Sequence, residues 1–593
     1  MKRKLYLFAA AALSVLNMQA EVYFVAPQSR GNGDGTSWEN AKGADWNYVE
    51  GDIVYMSEGT YTVPNIRLVN GVTYQGGFAA SAKGADISDY DPASYVTRLT
   101  SGGANQGAFL SLEGESRNTE TVLAGVSITG IKGTQDYGSL EVTGSVLYLD
   151  KAWLTMQDVT VDGNETACGG IIVPVSSVLK CRGCVFSNNV QTMVYDSSIS
   201  KQVSNASILF NLKGSVSERS LLILERCAIF GNTFSDPEMM SMAEEGGLVN
   251  VAKSSDVVLV NNFIDGNGLA IKSKAGFMRT NGGTNTQPAL GILAYNTIFN
   301  FSAKERFATG SVVTLGANTT SFVGGNIIVS PVDYEEFEIG SLPPEDKEKN
   351  AEATAVANSQ LSLSEGSTSN QALTYGNVAA TAIAKWLGAG YNFVGGRTMI
   401  KRGNYWVEDK WAVSKDYEKG DNWKVINQKD IFGDNEAFID GRDSYIEPLT
   451  GIGVDEADSR MILKAWNLAA YKEFLGSESN AHLGEAVAHL EDLDLSVDYF
   501  GNERGEKTWS GCYDVTARAG SGVRNIVSEG GQLLEIVQIG DGVFKVKGSN
   551  KYAEVYDISG KLVTAGDGII DLSAAVRGIY VVKVGSSAVK VAR

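Results

Sequence analysis

The 593-residue chain is poor in histidine, cysteine, proline and positive charge, and each shortage removes a class of function. Two histidines, His482 and His489, nearly exclude a histidine-built zinc site, which needs several such ligands converging. Five cysteines are an odd number and too sparse for a disulfide framework. Lys and Arg total 50 against 69 Asp and Glu, so nucleic acid is not an expected partner. No stretch approaches the roughly 20 consecutive apolar residues of a membrane helix, and no transmembrane span is expected. With 43% hydrophobic and 20% charged residues the chain is too apolar to be disordered throughout. Its length exceeds one ordinary core, which requires several domains or a solenoid growing along one axis.

What is present starts with a basic Lys2-Arg3-Lys4, an apolar run from Leu5 to Leu16 and a small-residue approach to Ala20. This pattern reads as a secretory signal peptide over 1–20, cleaved after Ala20. Internal repeats come next: Leu154 to Asn164, Leu179 to Asn189, Leu222 to Asn232 and Val257 to Asn267. Each opens on an aliphatic residue, places a second apolar residue two later (Met156, Cys181, Leu224, Leu259) and a third seven later (Val161, Phe186, Ile229, Ile264). Each closes on Gly-Asn or Asn-Asn. Degenerate units continue at Tyr295 to Asn300 and Gly325 to Val329.

Short runs of period two, broken by Gly and Asn, signal strand, turn, strand. One such pair cannot bury its own apolar face, so the units are expected to stack as parallel strands about 4.8 Å apart. A coil closed around its own interior covers the inner face of its parallel sheets. The closing asparagines, Asn164, Asn189, Asn232 and Asn267, then form a column in which each amide bonds the next. The competing reading makes them sugar or calcium ligands. Cys184 and Cys227 occupy one repeat position, with Cys181 three residues before Cys184, and read as stacked buried thiols rather than a metal or redox pair.

The opening of the mature chain, Val22 to Ala26 with Gly33 to Ala41, resembles that of bacterial β-helix surface proteins of the polymorphic outer membrane type common in Bacteroidetes, with the pectin-lyase-like fold. Gly51 to Tyr61, Asn70 to Phe78 and Leu123 to Gly130 are similar to the first coils of that family, and Asp498 to Arg504 with Gly511 to Asp514 to its degenerate closing motif. The residues after Ala517 form short alternating strands, and Tyr556 to Lys561 with Gly578 to Val584 resemble a type IX secretion sorting tail. The expected fold is all-β: a right-handed parallel β-helix over 21–515, then a small β-sandwich over 516–593. Within the helix, 340–476 departs from the pattern and reads as an irregular insertion. It has a loop running to Asn370, tryptophans at 386, 406, 411, 423 and 466, and helical spacing from Asp455 to Leu475. Asn480 to Leu493 reads as an amphipathic helix.

The resemblance implies an exported protein, secreted or at the cell surface, with the tail as a partner of the secretion machinery and a polysaccharide or host-surface ligand. Catalysis on such a coil needs paired carboxylates, or a basic proton acceptor beside a carboxylate-held calcium. Asp158, Asp162, Asp265 and Arg226 are the weak candidates in the repeats, and Arg226 and Lys253 the basic residues near them. No Asp-Asp, Gly-His-Gly or Arg-x-Lys motif accompanies them. The favoured reading is a non-catalytic binding protein without cofactor or metal. The alternative is a polysaccharide lyase or glycoside hydrolase, with calcium only in the lyase case.

Overall fold

The computed structural model describes residues 20–329 apart from short stretches, the longest being 134–143, 236–246 and 300–310. It also describes isolated strands between 359 and 464, most of 483–512, and the strands of 523–592. Residues 1–19, read from sequence as most of a signal peptide, the stretch 342–349 read as a loop, and the tryptophans at 386, 411, 423 and 466 lie outside the described residues, as does His482.

The chain forms two compact units, Met18–Asp514 and a unit holding Val515–Arg593. The first is a right-handed parallel β-helix, the hand that parallel strand crossovers take. Sheet 1 has ten strands, from Val22–Val25 through Ile53–Ser57, Thr73–Phe78, Glu120–Ala124, Trp153–Gln157 and Val178–Arg182 to Thr319–Gly324. Sheet 2 also has ten, from Gly59–Thr62 to Phe393–Val394. Sheet 3 runs from Ile66–Arg67 to Tyr405–Glu408, and a short sheet 4 lies between sheets 2 and 3, with five strands among the described residues, the last at Thr233–Phe234.

The repeat positions are the register. Leu154, Leu179, Leu222 and Val257 pair in sequence across sheet 1, as do Met156, Cys181, Leu224 and Leu259. Val161, Phe186, Ile229 and Ile264 pair across sheet 2. All twelve are fully buried, because period two sends them inward on every coil. The four rungs that open sheet 1 are the segments that carry the family resemblance: Val22–Val25, Ile53–Ser57, Thr73–Phe78 and Glu120–Ala124.

The corner between sheets 1 and 2 is made by one left-handed residue per coil: Gly125, Asp158, Gly183, Arg226, Asn261 and Tyr295 all have φ between 51° and 61°. A second such corner, after sheet 2, uses Gly163, Asn188 and Gly231. The residue after each left-handed position turns back inward. At the second corner these residues are Asn164, Asn189 and Asn232, all buried. Asn164 donates from Nδ2 to Asn189 Oδ1 (3.1 Å), and Asn189 from Nδ2 to Asn232 Oδ1 (2.9 Å). Their Nδ2 groups also donate to the sheet 2 carbonyls of Ile128, Val161 and Phe186.

Asn267 stands apart from this column. In its coil the left-handed residue is Asn267 itself (φ 51°), which points the side chain to solvent, and its backbone N–H donates to Asp265 Oδ1 at 2.8 Å. The amide column resumes instead at the first corner. Asn262 donates to Asn296 Oδ1 and Asn296 to Asn326 Oδ1, each at 2.9 Å.

The region read from sequence as an insertion is partly coil. Ser359–Ser364 pairs in parallel with Ser311–Leu315, and Phe393–Val394 with Ile327–Val329, so strands of the coil lie within the region read as loop and insertion. Ile462–Lys464, placed by spacing in a helix, is a strand antiparallel to Lys507–Trp509. Among the described residues of the helix expected over 480–493, Gly484–Ala488 forms α-helix.

The C-terminal unit has two four-stranded antiparallel sheets. Tyr552–Asp557 pairs with Leu562–Asp567 as a hairpin whose turn at Ser559-Gly560 lies outside the described residues. Alternation buries Ala553, Val555, Tyr580 and Val582, while Tyr552 and Leu562 stay exposed.

Candidate functional site

A coil offers function only its outward faces, and the three long sheets differ in what they present. On sheet 1 the outward residues Ile223, Val258, Val260 and Ile292 are apolar and at most 2% exposed. A strap formed by residues 483–512 crosses this face. Lys180 Nζ donates to His489 O (3.4 Å), and the His489 ring stands edge-on to Trp153 with centroids 4.5 Å apart. Asp494 N–H donates to Glu225 Oε1 (3.4 Å), and Asn261 Nδ2 to Val497 O (2.9 Å).

The segment resembling a closing motif anchors this strap. Arg504 donates from Nη2 to Asn261 Oδ1 (2.8 Å) and Gly511 O (3.0 Å), with its guanidinium 4.1 Å from the Tyr295 ring centroid. Asp498 is fully buried and accepts the Phe500 N–H at 2.9 Å. Cys512, whose N–H donates to Thr297 Oγ1, is buried, and burial pushes its thiol up to about 12.

Sheet 2 is open over its early rungs. Thr60 and Thr62, then Arg98 and Thr100, Ser127 and Thr129, and Thr160 and Asp162 point outward, while Tyr61, Leu99, Ile128 and Val161 between them are buried. Register sets Thr60 beside Arg98 and Thr62 beside Thr100, Arg98 beside Ser127, Ser127 beside Thr160, and Thr129 beside Asp162. The result is two columns of polar side chains, hydroxyls except for Arg98 and Asp162, rising about 4.8 Å per coil. From Ala228 onward this face is buried, through Phe263 and Thr297.

On sheet 3 the outward Asn211 and Asn250 are nearly buried, and Asn250 donates to Asn211 Oδ1 at 2.7 Å.

The four catalytic candidates fall on different places. Asp158 and Arg226 are left-handed corner residues of one column, two coils apart, with Gly183 between them. Arg226 Nε lies 4.0 Å from Glu225 Oε1, and Glu225 is buried and bound by Arg182 Nε at 2.7 Å. Asp162 faces outward from sheet 2 and accepts from Ser187 Oγ (2.7 Å) and Asn188 Nδ2 (2.9 Å). Asp265 occupies the Asp162 column three rungs later, after Ser187 and Phe230. Three rungs span about 14 Å, beyond the roughly 5–9.5 Å over which two carboxyls flank a scissile glycosidic bond. Among the described residues no group of three or more His, Cys, Asp or Glu is placed to hold a metal ion.

Sequence reasoning misses the Thr and Ser columns, although their signal is there: x-Thr or Thr-x-Asp repeats at Thr60, Arg98, Ser127 and Thr160 with an apolar residue in the middle. Variable loops between those coils hide the period.

No protein-family model and no curated protein matches the chain. Among solved structures it is similar to the crystal structure of pectate lyase Pel9A at 13% identity, over 59% of this chain and 76% of that one, with a TM-score of 0.17. It is also similar to the Azotobacter vinelandii mannuronan C-5 epimerase AlgE6 A-module at 14% identity, over 59% and 91%, with a TM-score of 0.20.

Proposed function

We propose that this chain is an exported surface or secreted protein that binds an extended glycan along the open rungs of sheet 2 without cleaving it. The observation that carries this reading is the pair of outward-facing polar columns, exposed at Thr60, Thr62 and Arg98 and half-buried at Thr100, Ser127, Thr129, Thr160 and Asp162. A row of hydroxyls repeating every coil matches a ligand that is itself a linear repeat of hydroxyls, since each rung then meets an equivalent group. The three-rung separation of the Asp162 and Asp265 carboxylates favours holding over hydrolysis. Export rests on the signal-like residues 1–20 and on the likeness of 516–593 to a type IX sorting tail, with the secretion machinery as the tail's partner.

The test is binding of residues 21–593 to an array of extended plant, algal and host glycans, repeated with Thr62→Ala/Thr129→Ala. Each exposed hydrogen bond is worth about 0.5–1.5 kcal/mol, so the double variant should weaken binding by roughly tenfold. Undiminished binding by that variant would remove the site from sheet 2. Release of unsaturated or reducing ends, with or without calcium, would replace the binding reading with the lyase or hydrolase one.

A further inference from the structure

We infer that Cys181, Cys184 and Cys227 form a buried thiol site that oxidises to one intramolecular disulfide, with Cys184 as its obligate member. The three side chains sit at the corner between sheets 1 and 2 on two successive coils, and all are fully buried. Flanking pairs Arg182 with Glu225 and Val185 with Ala228 set Cys184 directly beside Cys227. Neighbouring parallel positions are about 4.8 Å apart, inside the roughly 4.4–6.8 Å Cα separation that a disulfide spans. Cys181, inward on its sheet 1 strand, precedes Cys184 by three residues, and the left-handed Gly183 between them turns Cys184 inward as well. Cys184 thus lies beside Cys227 on the next coil and three residues from Cys181 on its own, which makes it the common partner.

The column explains why thiols are found here at all. Val159, Cys184, Cys227, Asn262, Asn296 and Asn326 hold one position on successive coils. Cys184 Sγ donates to Met156 O and Cys227 Sγ to Cys181 O, both at 3.4 Å, the bond that Nδ2 of Asn262 and Asn296 makes to Leu224 O and Leu259 O. An aliphatic and an amide are thus both accepted in this column. Two thiols side by side add a chemistry that neither neighbour has.

The reaction is thiol–disulfide exchange: two cysteine thiols give up two electrons and two protons to a disulfide oxidant, which leaves as two thiols. Burial pushes the Cys181 and Cys227 thiols up and shuts the folded coil to reagents, so the exchange belongs to the stage before the two coils close. In a cell this requires an oxidising compartment and so rests on the export reading; refolding in vitro does not.

The reduced, denatured chain is refolded with oxidised and reduced glutathione, quenched with N-ethylmaleimide in denaturant, and its labelled cysteines are counted by mass. Three of the five cysteines should label, and the peptide map should join Cys184 to Cys181 or Cys227. Cys184→Val, which repeats the Val159 already present in the column, should fold and label at all four remaining thiols. Five labels in the wild-type chain, a bridge through Cys168 or Cys512, or a disulfide surviving in Cys184→Val would overturn the inference. Chain taken from its natural compartment gives the second arm. Free thiols there, alongside a disulfide after refolding, would overturn export and leave the site standing.

Discussion

Up to Asn232 the buried amides line the second corner of the coil, beside sheet 4, whereas from Asn262 onward they line the first. The last strand of sheet 4 among the described residues, Thr233–Phe234, lies in the coil of Asn232, the last coil of the first column. The difference teaches that a coil needs at least one corner whose turning carbonyls and N–H groups are satisfied from inside, and that the corner is a free choice. In the coil of Cys227 both arrangements overlap: its N–H donates to Asn262 Oδ1, while Asn232 still closes the other column.

Breaking either column should produce the largest effect. Asn189→Leu strands the Val161 carbonyl and the Asn164 N–H in the interior, and Asn296→Leu does the same to the Leu259 carbonyl and the Asn262 N–H. Each unsatisfied buried group costs about 1–3 kcal/mol, so either variant should lose about 3–5 kcal/mol in urea unfolding. Equal losses at the two corners would confirm that they are equivalent, and a loss at only one would rank them.

A smaller effect is expected at the strap. Arg504→Ala removes the bonds to Asn261 and Gly511 and the stacking on Tyr295, worth about 2–3 kcal/mol in all. Hydrogen exchange should speed up over 483–512 and on the outer face of sheet 1, while sheet 2 keeps its protection. Uniform acceleration through all coils would mean that the strap is part of the core rather than a cover.

The smallest effect sharpens the boundary itself. Asn267→Ala should change stability by no more than about 0.5 kcal/mol, because its side chain faces solvent past the end of the first column. A loss comparable with that of Asn189→Leu would show that the first column extends one coil further.

The twelve inward aliphatic, sulfur and aromatic positions of the four repeats were legible because period two admits one inward set, and register is fixed once that set is stacked. Asn164, Asn189 and Asn232 were legible for a related reason: a left-handed residue followed by an inward amide is a fixed pair in the chain. The same pair misleads at Gly266-Asn267. There the left-handed conformation moves one residue on, and nothing in the letters marks the shift. Asn262 and Asn296 were hidden because their left-handed partners are Asn261 and Tyr295, which share no residue type. The sheet 2 face was hidden for another reason. Its rungs at Thr60, Arg98, Ser127 and Thr160 are 38, 29 and 33 residues apart, so only stacking reveals that they are neighbours. The strap was partly legible as a motif, but its place on sheet 1 depends on contacts more than two hundred residues away in sequence, such as Asn261 with Val497.

That separation sets an order in time. Coils of 22–329 make mostly contacts with the coil just before them, so each can close as soon as it is made, without waiting for later residues. The cover for Ile223, Val258 and Ile292 is made some two hundred residues later, and until then a stripe of aliphatic side chains faces water along an otherwise finished rod. A half-made chain is therefore at its stickiest when it already looks complete, and the interval before residue 512 emerges is when it most needs a chaperone.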